Sequence, residues 1–259
     1  MNLRSAAFAL AFASIATAGL ASSPSNDFTL VGQSGKPVGK ATYTIEKTKS
    51  GYKVHSRFEY RLSSDALPGT DPTKVSGGAG RTAEAQFSFE YNVDDNGNFL
   101  SGYTRDSATQ TMTSMSPDKA RANINISRLQ AGVQQGSRTL GLPKPDFLVA
   151  PDFDPSSIQI LLTTAAAHPH ADNTYLLIVP SSPDRGPAAN NDADYIILQA
   201  DTTSPQGTLD GKPITLKHFI LHYHVGQADV YTDPDGNLME ADMTPVHATY
   251  IRNKFTLTK

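Results

Sequence analysis

Strict period-two alternation constrains this fold more than any other feature of the sequence. Tyr52, Val54, Ser56, Phe58, Tyr60 and Leu62 share one parity, and Lys53, His55, Arg57, Glu59 and Arg61 share the other. Ala41, Tyr43 and Ile45 repeat the pattern ahead of a Lys49-Ser50-Gly51 turn. Ala85, Phe87, Phe89, Tyr91 and Val93 repeat it again further on. A helix would scatter these residues around its axis, whereas a pleated strand keeps every second side chain on one side. Residues 38–62 are therefore predicted to form an antiparallel hairpin, with a third strand at 84–93. Phe58 and Phe87 should face one core, and the opposite face should meet water or a polar cavity.

The same reading continues down the chain. Strands are expected at 175–179, 195–200, 213–225, 228–232, 238–243 and 246–257. One helix stands among them. Asp154 can cap it, Pro155 suits its first position, and Ile158, Leu161, Leu162 and Ala165 recur at helical spacing before Pro169. Pro143, Pro145, Pro151 and Pro155 make residues 141–155 an extended connector between two halves of one sheet. Residues 65–80, rich in Gly, Pro, Asp, Ser and Thr, read as a surface loop. The chain also echoes itself, because Asp94-Asp95-Asn96-Gly97-Asn98 matches Asp233-Pro234-Asp235-Gly236-Asn237. Neither copy carries the closing glutamate of a calcium-binding EF-hand loop, so both read as hairpin turns that use glycine at positive φ. The expected fold class is mostly β: a large twisted antiparallel sheet, curled into a half-barrel around one short helix at 154–167.

The N-terminus points to export. Arg4 is followed by an uncharged run from Ala6 to Ala18, and Ala16-Thr17-Ala18 and Gly19-Leu20-Ala21 both offer the small residues that signal peptidase needs. Residues 1–21 are read as a signal peptide and 22–259 as a single antiparallel β domain, periplasmic or extracellular. The apolar run is shorter than the roughly 20 residues of a membrane-spanning helix, so no stable span is expected after cleavage. Cleavage removes Arg4 and takes the net charge from −3 to −4. Basic residues never cluster beyond pairs such as Arg57 and Arg61, which argues against a nucleic-acid partner. With no cysteine, the chain has neither a disulfide framework nor a lipidation cysteine.

Histidines offer the main chemical candidates. In the strand predicted at 213–225, His218, His222 and His224 share one face with Ile220, opposite Phe219, Leu221, Tyr223 and Val225. Imidazoles two residues apart on a strand project to the same side, where they can begin a zinc or copper site if a neighbour such as Glu240 or His247 completes it. A solvated polar face explains the same pattern without a metal. His168 and His170 sit at the helix end, where imidazolium complements free carbonyls. No Gly-x-Ser-x-Gly elbow, His-Glu-x-x-His motif or glycine-rich phosphate loop appears, so neither a catalytic residue nor a cofactor is assigned.

The stretch from Gly207 to Pro213, the strand Phe219–Tyr223, and Ala228–Asp233 followed by Gly236–Met239 together resemble uncharacterised bacterial secreted β-proteins. Those families of unknown function often carry Trp where this chain has Tyr231. The resemblance covers about 50 residues of the C-terminal half. It implies a long curved sheet like the half-barrels of envelope lipoprotein carriers, with no catalytic residues to carry over. The functional expectation is a non-enzymatic exported protein that binds an apolar small molecule, a lipid or an envelope protein on a concave sheet face. A metal-dependent enzyme on the histidine face and a structural or adhesive surface protein are the alternatives.

Overall fold

The computed structural model describes residues 26–32, 34–62, 83–107, 109–149, 154–168, 173–178, 193–223, 226–243 and 248–258. The signal-peptide region, the 65–80 loop, Pro169, His170, His224 and His247 lie outside those residues. The predicted hairpin and third strand are present: β2 (Pro37–Thr48), β3 (Gly51–Leu62) and β4 (Ala83–Val93) pair antiparallel, with Phe58 opposite both Ala41 and Phe87. Ala41, Tyr43, Ile45, Val54, Ser56, Phe89, Tyr91 and Val93 are all buried, as their parity requires. Phe58 and Phe87 are partly buried against the same core.

These strands sit inside a 15-stranded sheet. The N-terminal arm comprises β1 (Asn26–Gly32) through β4, then β5 (Phe99–Asp106), β6 (Thr111–Pro117), β7 (Asn123–Gln130) and β8 (Val133–Gly141). The other arm runs through β9 (Leu148–Val149), β10 (Thr174–Ile178), β11 (Ala193–Ala200), β14 (Lys217–Tyr223), β15 (Gly226–Thr232), β16 (Leu238–Met243) and β17 (Ala248–Arg252). Pairing of β1 with β17 joins the arms, so among the described residues β8 and β9 form the two edges of the sheet. The pairs are antiparallel except for the two-residue β9, which runs parallel to β10.

Two expected strands prove to be two elements each. The 213–225 stretch divides at the buried Leu216 into β13 (Lys212–Thr215) and β14, and the 246–257 stretch divides at Asn253–Lys254 into β17 and β18 (Phe255–Thr258). Lys254 takes a positive φ of 63°, which a continuous strand cannot contain. The detached halves join β12 (Gln206–Leu209) in a second, three-stranded sheet. That sheet packs through its own small core of Leu216, Met239 and Phe255.

The predicted helix α1 (Pro155–Ala167) begins as read, with Asp154 accepting from the Ser157 N–H at 2.9 Å. It is not a surface helix: Ile158, Gln159, Ile160, Leu161, Leu162, Thr164, Ala165 and Ala166 are all buried. It touches β2, β3, β9 and β16, strands far apart in the sheet order, so the sheet must curl around it. Curling brings the chain ahead of β9 back to the start of β5, where the Phe99 N–H donates to the Phe147 carbonyl at 3.1 Å. Arg121 adds bonds to the carbonyls of Pro145 and Phe99.

Candidate functional site

The concave face is occupied by the protein itself. α1 lies along it, and the polar residues of the helix are tied to strands on several sides. Gln159 is the main anchor: its Oε1 accepts from the Tyr43 hydroxyl (3.1 Å) and the Leu238 N–H (2.8 Å), while its Nε2 donates to the Gly236 carbonyl (2.9 Å). At the helix start the Ser156 hydroxyl donates to Asp154 Oδ1 at 2.6 Å and lies 2.9 Å from the Tyr91 hydroxyl. Burial dominates the electrostatics here. It pushes the Tyr43 and Tyr91 hydroxyls well above their ordinary range and raises the Asp154 carboxyl to about 6, despite hydrogen bonds from the Ser156 hydroxyl and the Ser157 N–H that favour the ionised form.

The two echoed turns explain how the helix is held. In each, the first Asp accepts from backbone N–H groups across the turn: Asp94 from Asn96 and Asn98, and Asp233 from Asn237, all at 2.8 Å. Gly97 and Gly236 both take positive φ, 80° and 87°. Both turns fold against α1. Gly236 offers its carbonyl to Gln159, and Gly97 lies so close to Thr164 that a Cβ there would fall 1.8 Å from the threonine hydroxyl. A cleft of about 240 Å³ remains beside the helix end, lined in part by Asn96, Asp146, Phe147, His168 and Tyr175.

The histidine face lies outside. Phe219, Leu221 and Tyr223 are buried, whereas His218, Ile220 and His222 point outward, as the alternation predicts. His218 is clamped: Nδ1 lies 2.8 Å from Asp201 Oδ2 and Nε2 lies 2.8 Å from Asp229 Oδ1. Its ring stacks on cross-strand Tyr231 at 4.6 Å between centroids. Both carboxylates can accept together only from a ring that carries a hydrogen on each nitrogen, and such a ring offers a metal no lone pair. To ligate one, His218 would have to release a carboxylate. Asp201 is further fixed by Thr203 and the Thr202 N–H, and these bonds with the one from His218 hold its carboxyl down at about 2.

His222 sits 3.2 Å from Gln199 Oε1. Among the described residues no three His, Asp or Glu gather into a metal-binding set. The sequence could not reveal the carboxylate clamp, because Asp201 reaches His218 from 17 residues away through a strand pairing. Gln159 was equally silent. A lone glutamine in a helix announces nothing until the turn that it bonds is known.

No protein-family model matches this sequence, and no curated protein matches it. Among solved structures, a β-barrel-like protein of the DUF1849 family from Brucella abortus is similar. It shares 11% identity over 91% of this chain and 97% of that chain, at a TM-score of 0.51. A DUF1089 family protein from Pseudomonas aeruginosa also matches, at 11% identity over 85% of this chain and 91% of that one, with a TM-score of 0.41. The first supports the fold: a mostly β, barrel-like sheet, in a family whose function is unknown.

Proposed function

We propose that this chain is an exported, non-enzymatic protein of the cell envelope that works by binding a partner protein through its outer surface. The observation that carries this reading is α1. A sheet that carries an apolar ligand needs an open concave face, and here that face is filled by a buried helix bonded to β2, to the turn before β16 and, through Ser156, to β4. A lipid would have to break each of those bonds to enter. The N-terminal pattern supports export, and the clamped His218 supports a structural histidine over a catalytic one.

Fractionation of the native host, N-terminal sequencing and solvent extraction of the purified protein test the proposal together. The expected result is an envelope or secreted protein that begins near Ser22 or Gly19 and releases no stoichiometric lipid. A cytoplasmic protein that begins at Met1 would sink the export reading. One long-chain lipid per protein would return the concave face to the centre.

A further inference from the structure

The two edges of the large sheet differ in kind. β9 is two residues long, runs parallel to its neighbour, and lies next to Phe147, whose carbonyl is already bonded to Phe99. β8 is nine residues long, is exposed along nearly all its length, and contains neither Pro nor Lys. Those are two of the residues that proteins use to keep free edges from pairing. The Leu142 N–H donates to the Ala122 carbonyl at 2.8 Å and so continues the β7–β8 ladder one step beyond the Asn123–Gly141 pair. Bonded and non-bonded pairs alternate along an antiparallel ladder. Arg138 and Leu140 therefore bond inward to β7, while the N–H and C=O groups of Ser137 and Thr139 point away from the sheet.

Charge and shape mark the same region. Residues 99–141 carry five basic side chains, Arg105, Lys119, Arg121, Arg128 and Arg138, against Asp106 and Asp118. That is a net of +3 within a chain of net −3. At the β7–β8 turn an apolar groove of about 370 Å³ is lined by Met112, Leu129 and Ala131 and rimmed by Arg105 and Asp106. Beside it Val133, 63% exposed, opens β8.

We propose that β8 is the docking edge for an extended acidic segment of the partner protein, which adds to the sheet as a further strand. Main-chain bonds to Ser137 and Thr139 hold it in register. Its carboxylates answer the basic arm, and an apolar residue passing Val133 enters the Met112–Leu129 groove. The inference rests on the partner-binding reading above, but it concerns one edge of the purified protein and is independent of export.

The test uses the mature chain and a labelled ten-residue peptide of alternating glutamate and valine, with a lysine–valine peptide as control. Fluorescence anisotropy should show the acidic peptide binding at least tenfold more tightly than the basic one. Ser137→Pro and Thr139→Pro each remove an outward donor and leave the inward ladder intact. Each should weaken binding at least tenfold with an unchanged melting temperature, while Ser137→Ala should bind like the parent. Hydrogen exchange should show the outward amides of β8 protected only when the peptide is present.

Equal affinity for both peptides, or binding indifferent to both proline variants, overturns the proposal. Saturable binding to phosphatidylglycerol vesicles that survives both proline variants overturns it in favour of a lipid surface. Self-association in sedimentation that Ser137→Pro abolishes overturns it in favour of a second copy. In each case an envelope location and a lipid-free protein would leave the broader partner-binding reading standing.

Discussion

Two polar clusters, one inside the curled sheet and one outside, use similar side chains to opposite electrostatic effect. Asp154 is 1% exposed and lies among hydroxyls, so desolvation wins and its carboxyl rises to about 6. Asp201 lies at the surface against Thr203 and His218, so hydrogen bonding wins and its carboxyl falls to about 2. The inner cluster is the costlier to disturb, because a polar group orphaned in the core has no water to turn to. The outer one can exchange partners with solvent. A molecule that locks its interior polar groups around its own helix has committed that interior to structure.

The largest expected effect is at Gln159. Gln159→Ala leaves the Leu238 N–H, the Gly236 carbonyl and the Tyr43 hydroxyl without that partner, and should cost about 3–5 kcal/mol in denaturant melts. A cost near zero would show that water reaches the helix and that the inner cluster resembles the outer one. Gly97→Ala comes next, at about 3 kcal/mol, combining a left-handed backbone with a clash against Thr164. Adding Thr164→Ala should recover the steric part and leave roughly 1–2 kcal/mol of backbone strain.

The pH dependence of stability should separate the clusters by sign. A carboxyl raised from 3.8 to about 6 on folding stabilises fully at low pH, and that stability declines as pH rises from about 4 through 6. The loss is about 3 kcal/mol, and Asp154→Asn should abolish it. Asp201 works the other way: its contribution is present above pH 3.8 and is lost as pH falls toward 2. Exposure to solvent keeps it below about 1 kcal/mol. Difference melts between pH 2 and 7, parent against Asp154→Asn and Asp201→Asn, would show a steep slope for Asp154 between about pH 4 and 6 and a shallow opposite one for Asp201 between about pH 2 and 4. An effect of the same small size belongs to the histidine face. His218→Gln should cost about 1 kcal/mol, and chelator should leave the melting temperature unchanged. A chelator-dependent fall that His222→Ala removes would restore the metal reading.

Much of this fold was legible in the sequence wherever one physical signal acted alone. Alternation placed β2, β3 and β4 and their buried faces. The Asp154-Pro155 start and the apolar spacing place α1, and the two Asp-x-x-Gly-Asn runs mark hairpin turns. The signal failed where strands carry small polar residues on both faces: β6 and β8 are rich in Thr, Ser, Gln and Gly and show no clear apolar parity. It failed again at Leu216 and Lys254, where a continuous β-forming run divides between two sheets. Long-range partners were beyond reach altogether. A half-barrel curled around residues 154–167 follows from the number of strands, but which strands bury each face of the helix, namely β2, β3, β9 and β16, is not written in its own residues.

Amide hydrogen exchange of α1 tests that central claim most directly. If the helix is a permanent part of the core, the amides of Ile160 to Ala165 exchange only through global unfolding, and their opening free energy equals the stability of the whole protein. Opening several kcal/mol below the global value, with the surrounding strands still protected, would mean that the helix leaves a folded sheet and that the concave face is a site after all.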